Sequence, residues 1–566
     1  LEFRRVLFRS AFNRSDAISF ANLISGTGSV TKLGANTLTL TGANTYSGGT
    51  TVSGGTLTAG ISSTGSITNG AFGTGLVTVQ SGYTLDLNGF SLGNALNLSG
   101  AGIGSNGALV NSSATAATDS GAITIASATS IGGTGAMTLS GAISASTNAV
   151  SFVNGANVTA TNTANSIATV SLTNSAAVLK TTAALTVNAS SLSGANTTLQ
   201  TVSADKDITV SGAITNNTNG NTLTLMASRD ILVSSPISGA TNKSLTTKFY
   251  SDVDNTGGGG FKTTISTAAI STFGGDILIR GGTTDTTTGC AAAYSCIAGY
   301  ASYANGTTSK GIYLLAPLNA AGGNIGLYGL GNRVTSTSGV GIELDYTGTV
   351  LTTSGSGTIT LEGTSTGANH AVNFVKGDIT AGTGLISMTG NASASNAYSG
   401  VAIGATSITS GGALSIYGTG GSNQYGVYVY GAGNTITTAG DITINGQNPA
   451  RNWGVDIDNA RVINSTAGNI SVTGVGLSGV YLYGSLVAAN NATTPTSGGT
   501  ITVNGTGDGG TVANYGIRVD TSSMISYGAM SLTGVSASAH AVYLHGTGTK
   551  VKSASHITIN GTGSWG

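Results

Sequence analysis

The sequence predicts an all-β protein, a right-handed parallel β-helix with three short strands per coil of about 25–37 residues. Three observations predict it. The first is composition. The chain has 566 residues, of which 90 are Gly and 4 are Pro, and charged residues make up 7%. An ordinary soluble protein carries roughly 25% charged residues. Twenty basic and twenty acidic residues cancel to a net charge of zero, and mean hydropathy is +0.22. Disorder wants high net charge and few β-formers, so this low-complexity chain reads as ordered. The second observation is a repeated word, and the third is its period-two alternation.

The first word is Gly/Ala, apolar, variable, apolar. It appears as Gly311-Ile-Tyr-Leu, Gly341-Ile-Glu-Leu, Ala371-Val-Asn-Phe, Gly400-Val-Ala-Ile and Gly426-Val-Tyr-Val. It continues as Gly454-Val-Asp-Ile, Gly479-Val-Tyr-Leu, Gly516-Ile-Arg-Val and Ala541-Val-Tyr-Leu. Self-similarity at such spacing signals a solenoid. A second word lies between, as in Asp441-Ile-Thr-Ile-Asn-Gly, Asn469-Ile-Ser-Val-Thr-Gly and Thr500-Ile-Thr-Val-Asn-Gly. A weaker apolar spot recurs at Ile379, Ile408, Ile436, Val462 and Val551. Each piece alternates apolar and polar, so each is a short strand with one buried face. Gly- and Asn-rich corners join them, because these residues tolerate positive φ. A lone coil cannot bury its apolar side, and stacked coils can.

In chain order, residues 1–20 read as a non-native or unstructured start, because LEFRRVLFRS has a charge density unlike anything downstream. The natural N-terminus is expected further upstream. Residues 21–120 read as solenoid, 121–280 as a less regular solenoid, 281–310 as an insertion loop and 311–566 as regular repeats. The insertion carries Cys290 and Cys296, a candidate disulfide of an oxidising compartment, with a spacing unlike zinc knuckles. No run of about 18 apolar residues suggests a transmembrane helix.

No catalytic, cofactor or metal site emerges. The four His residues sit in repeat context, and His540 and His545 flank one strand word without further ligands. Glu343 and Asp456 share the outward position of the first word in different coils, and read as solvated surface rather than as the paired carboxylates of glycosidic chemistry. Lys376-Gly-Asp378 and Gly507-Asp-Gly-Gly are too short to carry a binding function, and no glycine stretch ends in the Lys-Ser/Thr of a phosphate loop. Zero net charge gives no electrostatic hold on nucleic acid. Thr-rich words vary too much for an ice- or mineral-binding ladder.

The outward position of the first word reads Tyr313, Glu343, Asn373, Ala402, Tyr428, Asp456, Tyr481, Arg518, Tyr543. If the coils register, these form one column. Tyr313, Tyr428, Tyr481 and Tyr543 then make a candidate binding stripe, since Tyr offers a flat ring and a hydroxyl. The bland alternative is that Tyr is simply a good strand residue.

Residues 26–59 carry Val30-Thr-Lys, Thr37-Leu-Thr-Leu-Thr-Gly, Asn44-Thr-Tyr-Ser-Gly-Gly-Thr and Gly55-Thr-Leu. They resemble the passenger-associated repeat of bacterial autotransporters. Residues 205–285, with Ala227-Ser-Arg-Asp-Ile-Leu-Val and Gly274-Gly-Asp-Ile-Leu-Ile, resemble the haemagglutinin-type repeats of filamentous two-partner exoproteins more loosely. The resemblance implies export across a Gram-negative outer membrane by a translocator, a cell-surface or extracellular location, and an adhesin stalk mediating attachment or biofilm formation through its outer faces. Its partners would be host or environmental glycans or proteins. No translocator barrel and no secretion domain lie within the sequence, so the export route stays open. The alternative is the β-helix scaffold of a polysaccharide-acting enzyme.

Overall fold

The computed structural model describes residues 10–64, 67–254, 259–281, 298–300, 309–331, 339–392, 398–422, 424–431, 433–448, 452–459, 462–489, 499–508 and 514–565. Cys290 and Cys296 lie outside the described residues. The described residues form strands joined by turns and bends, with a single 3-10 turn at Ile103–Ser105. It divides into two compact units, one of Leu1–Ser228 with Ser238–Leu245 and one of Arg229–Ile237 with Thr246–Gly566.

The second unit is a parallel β-solenoid with three strands per coil. One coil holds Val401–Ala405, Ser407–Ser410 and Leu414–Thr419. The next holds Val427–Val429, Thr435–Thr438 and Ile442–Gln447. Each strand pairs in parallel with its counterpart one coil on: Val401 with Val427, Ile408 with Ile436, Leu414 with Ile442. The steps Val427 to Val455, Val455 to Val480, Val480 to Ile517 and Ile517 to Val542 keep this register through coils of 25 to 37 residues. Added length therefore leaves from corners, not from strands.

Inward residues stack into columns of their own kind. Ile386, Leu414, Ile442, Ile470, Ile501 and Met530 lie rung on rung, each at most 1% exposed. Burying each such side chain contributes about 1.5–3 kcal/mol, and a column shares that gain among neighbours. Polar corners stack too. Asp441 Oδ1 accepts from the Asn469 backbone N–H at 2.7 Å, and Asn469 Oδ1 accepts from the Thr500 N–H and hydroxyl at 2.9 Å each. This ladder explains why the second word opens on Asp, Asn or Thr.

The glycine that closes the second word has a different cause from the positive-φ glycines of the corners, such as Gly431 and Gly484. Gly390, Gly418, Gly446, Gly474, Gly505 and Gly534 all have ordinary φ. They stand where the last strand of one coil nearly touches the start of the next. A Cβ on Gly446 would lie 2.0 Å from the Gly454 carbonyl oxygen, and one on Gly418 2.1 Å from that of Gly426. Close backbone approach, rather than positive φ, selects glycine here.

The first unit follows the same parallel plan with shorter early coils. Val30 pairs with Thr50 and Leu38 with Leu57, steps of 20 and 19 residues. Two strands per coil are regular there. The third side consists of single hydrogen bonds, such as Thr45 N–H to Ile24 O at 3.0 Å and Ser47 N–H to Gly26 O at 2.9 Å. From Ala117–Asp119 onward the third side is a strand as well, beginning with Ala117 opposite Met137.

Candidate aromatic and acidic face

Five successive coils of the second unit carry the same six-residue word: Tyr425-Gly-Val-Tyr-Val-Tyr, Trp453-Gly-Val-Asp-Ile-Asp, Ser478-Gly-Val-Tyr-Leu-Tyr, Tyr515-Gly-Ile-Arg-Val-Asp and His540-Ala-Val-Tyr-Leu-His. The third and fifth letters point inward; Val427, Val429, Val455, Ile457, Val480, Leu482, Ile517 and Val519 are 0% exposed. Strand alternation then sends the fourth and sixth outward.

The predicted column is real. Tyr313 pairs with Glu343, Glu343 with Asn373, Asn373 with Ala402 and Ala402 with Tyr428. Tyr428 pairs with Asp456, Asp456 with Tyr481, Tyr481 with Arg518 and Arg518 with Tyr543. The column is less open than expected. Glu343 and Asp456 are 8% and 4% exposed, not solvated. The reason is that side chains beside the column engage both carboxylates, as Tyr425 does by hydrogen-bonding Asp456. Lys310 Nζ also donates to Glu343 Oε1 at 2.6 Å and lies 3.5 Å from the Tyr313 ring centroid.

Tyr428, Tyr481 and Tyr543 alternate with Asp456 and Arg518, so successive tyrosines stand two rungs, about 9.6 Å, apart. Tyr313 stands apart from them, below Asn373 and Ala402. Two flanking columns complete the face, and sequence reasoning missed both. Tyr428 packs between Tyr425 and Tyr430, with centroids at 4.3 and 4.8 Å. Trp453 stacks on Tyr481 at 5.0 Å and on Tyr515 at 6.2 Å. Tyr543 packs against Tyr515 at 5.3 Å, His540 at 5.1 Å and His545 at 5.5 Å. His540 and His545 are thus members of a ring array. The signal was available: extending the four-letter word by one residue back and one forward exposes both columns.

Charge is uneven on this face. Arg518 sits over Tyr481 and Tyr515, 5.0 and 5.4 Å from their centroids, and its Nη2 donates to Asp520 Oδ2 at 3.0 Å. His545 Nδ1 lies 3.3 Å from Asp520 Oδ1. Burial works to raise the Asp520 carboxyl, and these two partners outweigh it and hold it below its usual value. Asp456 and Asp458 have no such partner among the described residues. Burial, then the nearby Asp458 charge, push Asp456 up to about 7, against a stabilising hydrogen bond with Tyr425. Asp456 Oδ1 is buried with no hydrogen-bond partner. Asp458 accepts from Asn459 Nδ2 at 2.7 Å and is raised by burial.

Of the short motifs set aside above, Lys376-Gly-Asp378 has structural work, and Gly507-Asp-Gly-Gly lies partly outside the described residues. Lys376 Nζ pairs with Asp345 Oδ1 at 3.2 Å, and Asp378 Oδ1 accepts from the Ser407 N–H at 2.8 Å.

The conspicuous words of residues 26–59 likewise face inward. Lys32 is 3% exposed, and its ammonium donates to the carbonyls of Gly34 and, at 3.1 Å, Gly54. Asn44 Oδ1 accepts from the Ile24 N–H at 2.8 Å, and its Nδ2 donates to Ala71 O at 2.7 Å. The Tyr46 hydroxyl is buried 2.6 Å from Thr50 Oγ1. A Cβ on Gly54 would lie 1.7 Å from the Leu33 carbonyl. These residues satisfy buried polar groups and let coils approach.

No curated protein and no solved structure matches the chain. Residues 30–59 match the family described as passenger-associated-transport-repeat. The chain therefore carries, within a parallel β-solenoid, a passenger repeat of the autotransporter kind.

Proposed function

We propose that this chain is part of a surface-displayed adhesive passenger. It would cross the outer membrane of a Gram-negative bacterium through a translocator and present its second unit to glycans or proteins of a host or environmental surface. The passenger repeat supports export. The observation that carries the binding reading is the register of the ring array. Tyr428, Tyr481 and Tyr543 stand on alternate rungs of one column, with Trp453, Tyr425 and Tyr515 beside them. Aromatic rings bearing hydroxyls suit sugar faces and polar rims alike. The test is binding of the full chain to a glycan array and to mucin-coated surfaces, comparing wild type with the triple variant Tyr428→Ala, Tyr481→Ala, Tyr543→Ala. A loss of tenfold or more, with the far-UV spectrum kept, supports the reading. Unchanged binding removes it.

A second reading, a polysaccharide-acting enzyme, draws on one observation. Asp456 holds a proton near neutral pH beside Asp458, and paired carboxyls of unequal acidity are the equipment of glycoside hydrolysis. Release of reducing ends from polysaccharides, abolished by Asp456→Asn, would favour it over adhesion alone.

A further inference from the structure

The adhesive reading leaves the ligand's charge open, and the second and third rows of the face bear on it. Resting on that reading, we propose that the Asp456–Asp458 row binds the ammonium group of an amino sugar, so that the preferred glycan is one whose amines are free rather than acetylated.

The geometry supplies each part. Asp456 and Asp458 lie on strand Trp453–Asp458, two residues apart on one side. Such positions are about 7 Å apart along a strand, a span that one ammonium with three N–H donors can bridge between carboxylate oxygens. One of those oxygens, Asp456 Oδ1, has no partner, and its residue is 4% exposed. The row is walled by rings. Tyr428 lies one rung below Asp456 and Tyr481 one rung above, while Tyr483 stands above Asp458. Tyr425 hydrogen-bonds Asp456 from the coil below, and Trp453 packs on Tyr481. Ring faces and carboxylates together favour a cation over a neutral group. Among the described residues of this face, the basic side chain Arg518 is already engaged by Asp520 and by two rings. A cationic ligand therefore fills a position that the described residues leave without a basic partner.

Burial and Asp458 hold Asp456 protonated up to about pH 7. An ammonium arriving there favours the ionised carboxyl, so binding at pH 6 must expel a proton. The release should fade as pH rises through 7. The groups that set this balance are Tyr425, Tyr428, Tyr481 and Asp458, with Arg518 and Asp520 one rung further.

The experiment is calorimetric titration of the full chain with oligomers of β-1,4-linked glucosamine and with their N-acetylated counterparts. Titrations at pH 6 in buffers of different ionisation enthalpy read the protons released. Expected are at least tenfold tighter binding of the free-amine oligomer, proton release at pH 6, and loss of the preference in Asp458→Asn and in Asp456→Asn. Asp458 is partly exposed and Asp456→Asn mimics the protonated acid, so both variants retain the fold; far-UV spectra check this. Equal affinity for the two oligomers, no binding of either, or a preference unchanged in both variants overturns the inference. If the acetylated oligomer binds equally well through the tyrosines, adhesion stands and the charge assignment falls. If neither oligomer binds and the tyrosine triple variant binds surfaces like wild type, both fall.

Discussion

Single buried acids set the protein's response to pH. Asp119 ends strand Ala117–Asp119 at an inward position, opposite Leu139, and is fully buried. Its Oδ2 has no partner, and the Gly121 N–H approaches Oδ1 at 3.4 Å. Burial pushes its carboxyl up to about 8, with the Gly121 bond working against the rise. In the unfolded chain the same group titrates near 3.8. The folded state thus holds a proton that the unfolded state has lost, and stability falls as pH climbs from about 4 to about 8. Asp456 acts in the same direction up to about 7. His370 acts oppositely. Burial holds it down to about 4, its Nδ1 accepts from the Ser399 N–H at 3.1 Å, and stability is lost as pH falls from 6.5 toward 4. Asp119→Asn removes the ionisation cost. Its denaturation midpoint should exceed that of wild type by a margin that grows from pH 4 to pH 8, of order a few kcal/mol at the upper end. A margin that stays constant with pH would show that Asp119 is not the group that titrates. In the sequence Asp119-Ser-Gly121 resembles an ordinary turn, so nothing local announced a carboxyl aimed into the core.

At the scale of the strand, the words were highly legible. A four-letter pattern placed Tyr313, Glu343, Asn373, Ala402, Tyr428, Asp456, Tyr481, Arg518 and Tyr543 in one column, and the hydrogen-bonded register agrees at every rung. Period-two alternation needs no tertiary information, because one face of each strand must be apolar. Exposure was less legible, since it depends on how far rings on adjacent coils reach. Ala402 is fully buried although it points outward. The glycine that closes the second word was visible as a pattern, but its cause lies in contacts between strands that the sequence does not display. Its test is direct. Gly446→Ala places a methyl 2.0 Å from a backbone carbonyl that cannot rotate away, and should cost about 3 kcal/mol in chemical denaturation. Gly431→Ala, where φ is +89° and no atom lies within 4 Å, should cost about 1–2 kcal/mol from backbone strain alone. Equal costs would refute the close-approach account. The early coils of the first unit were harder to read because their third side makes single hydrogen bonds rather than a strand, and leaves no alternating word.

At the scale of the whole molecule, each unit is a stack in which a coil touches its neighbours before and after it. Stability in such a stack is a sum of coil and interface contributions. The last coil, with Val542–His545, Lys550–Ser553 and Ile557–Trp565, packs on Ile517–Asp520, Ser523–Ser526 and Met530–His540. Removing residues 541–566 should therefore cost a single interface. Amide protection at Val427–Val429, several coils away, should persist in hydrogen exchange. Loss of protection throughout the second unit would mean that the stack folds as one indivisible body.

The parallel ladders of the second unit carry a mechanical consequence. Hydrogen bonds between coils, such as those joining Val427 to Val455 and Val455 to Val480, point along the stacking direction. Tension applied in that direction loads one ladder at a time instead of shearing all of them together. Coils would peel off in turn, each of 25–37 residues paying out about 80–120 Å of slack. A stretched solenoid of this design yields in steps and dissipates a sudden pull as a sequence of small ruptures.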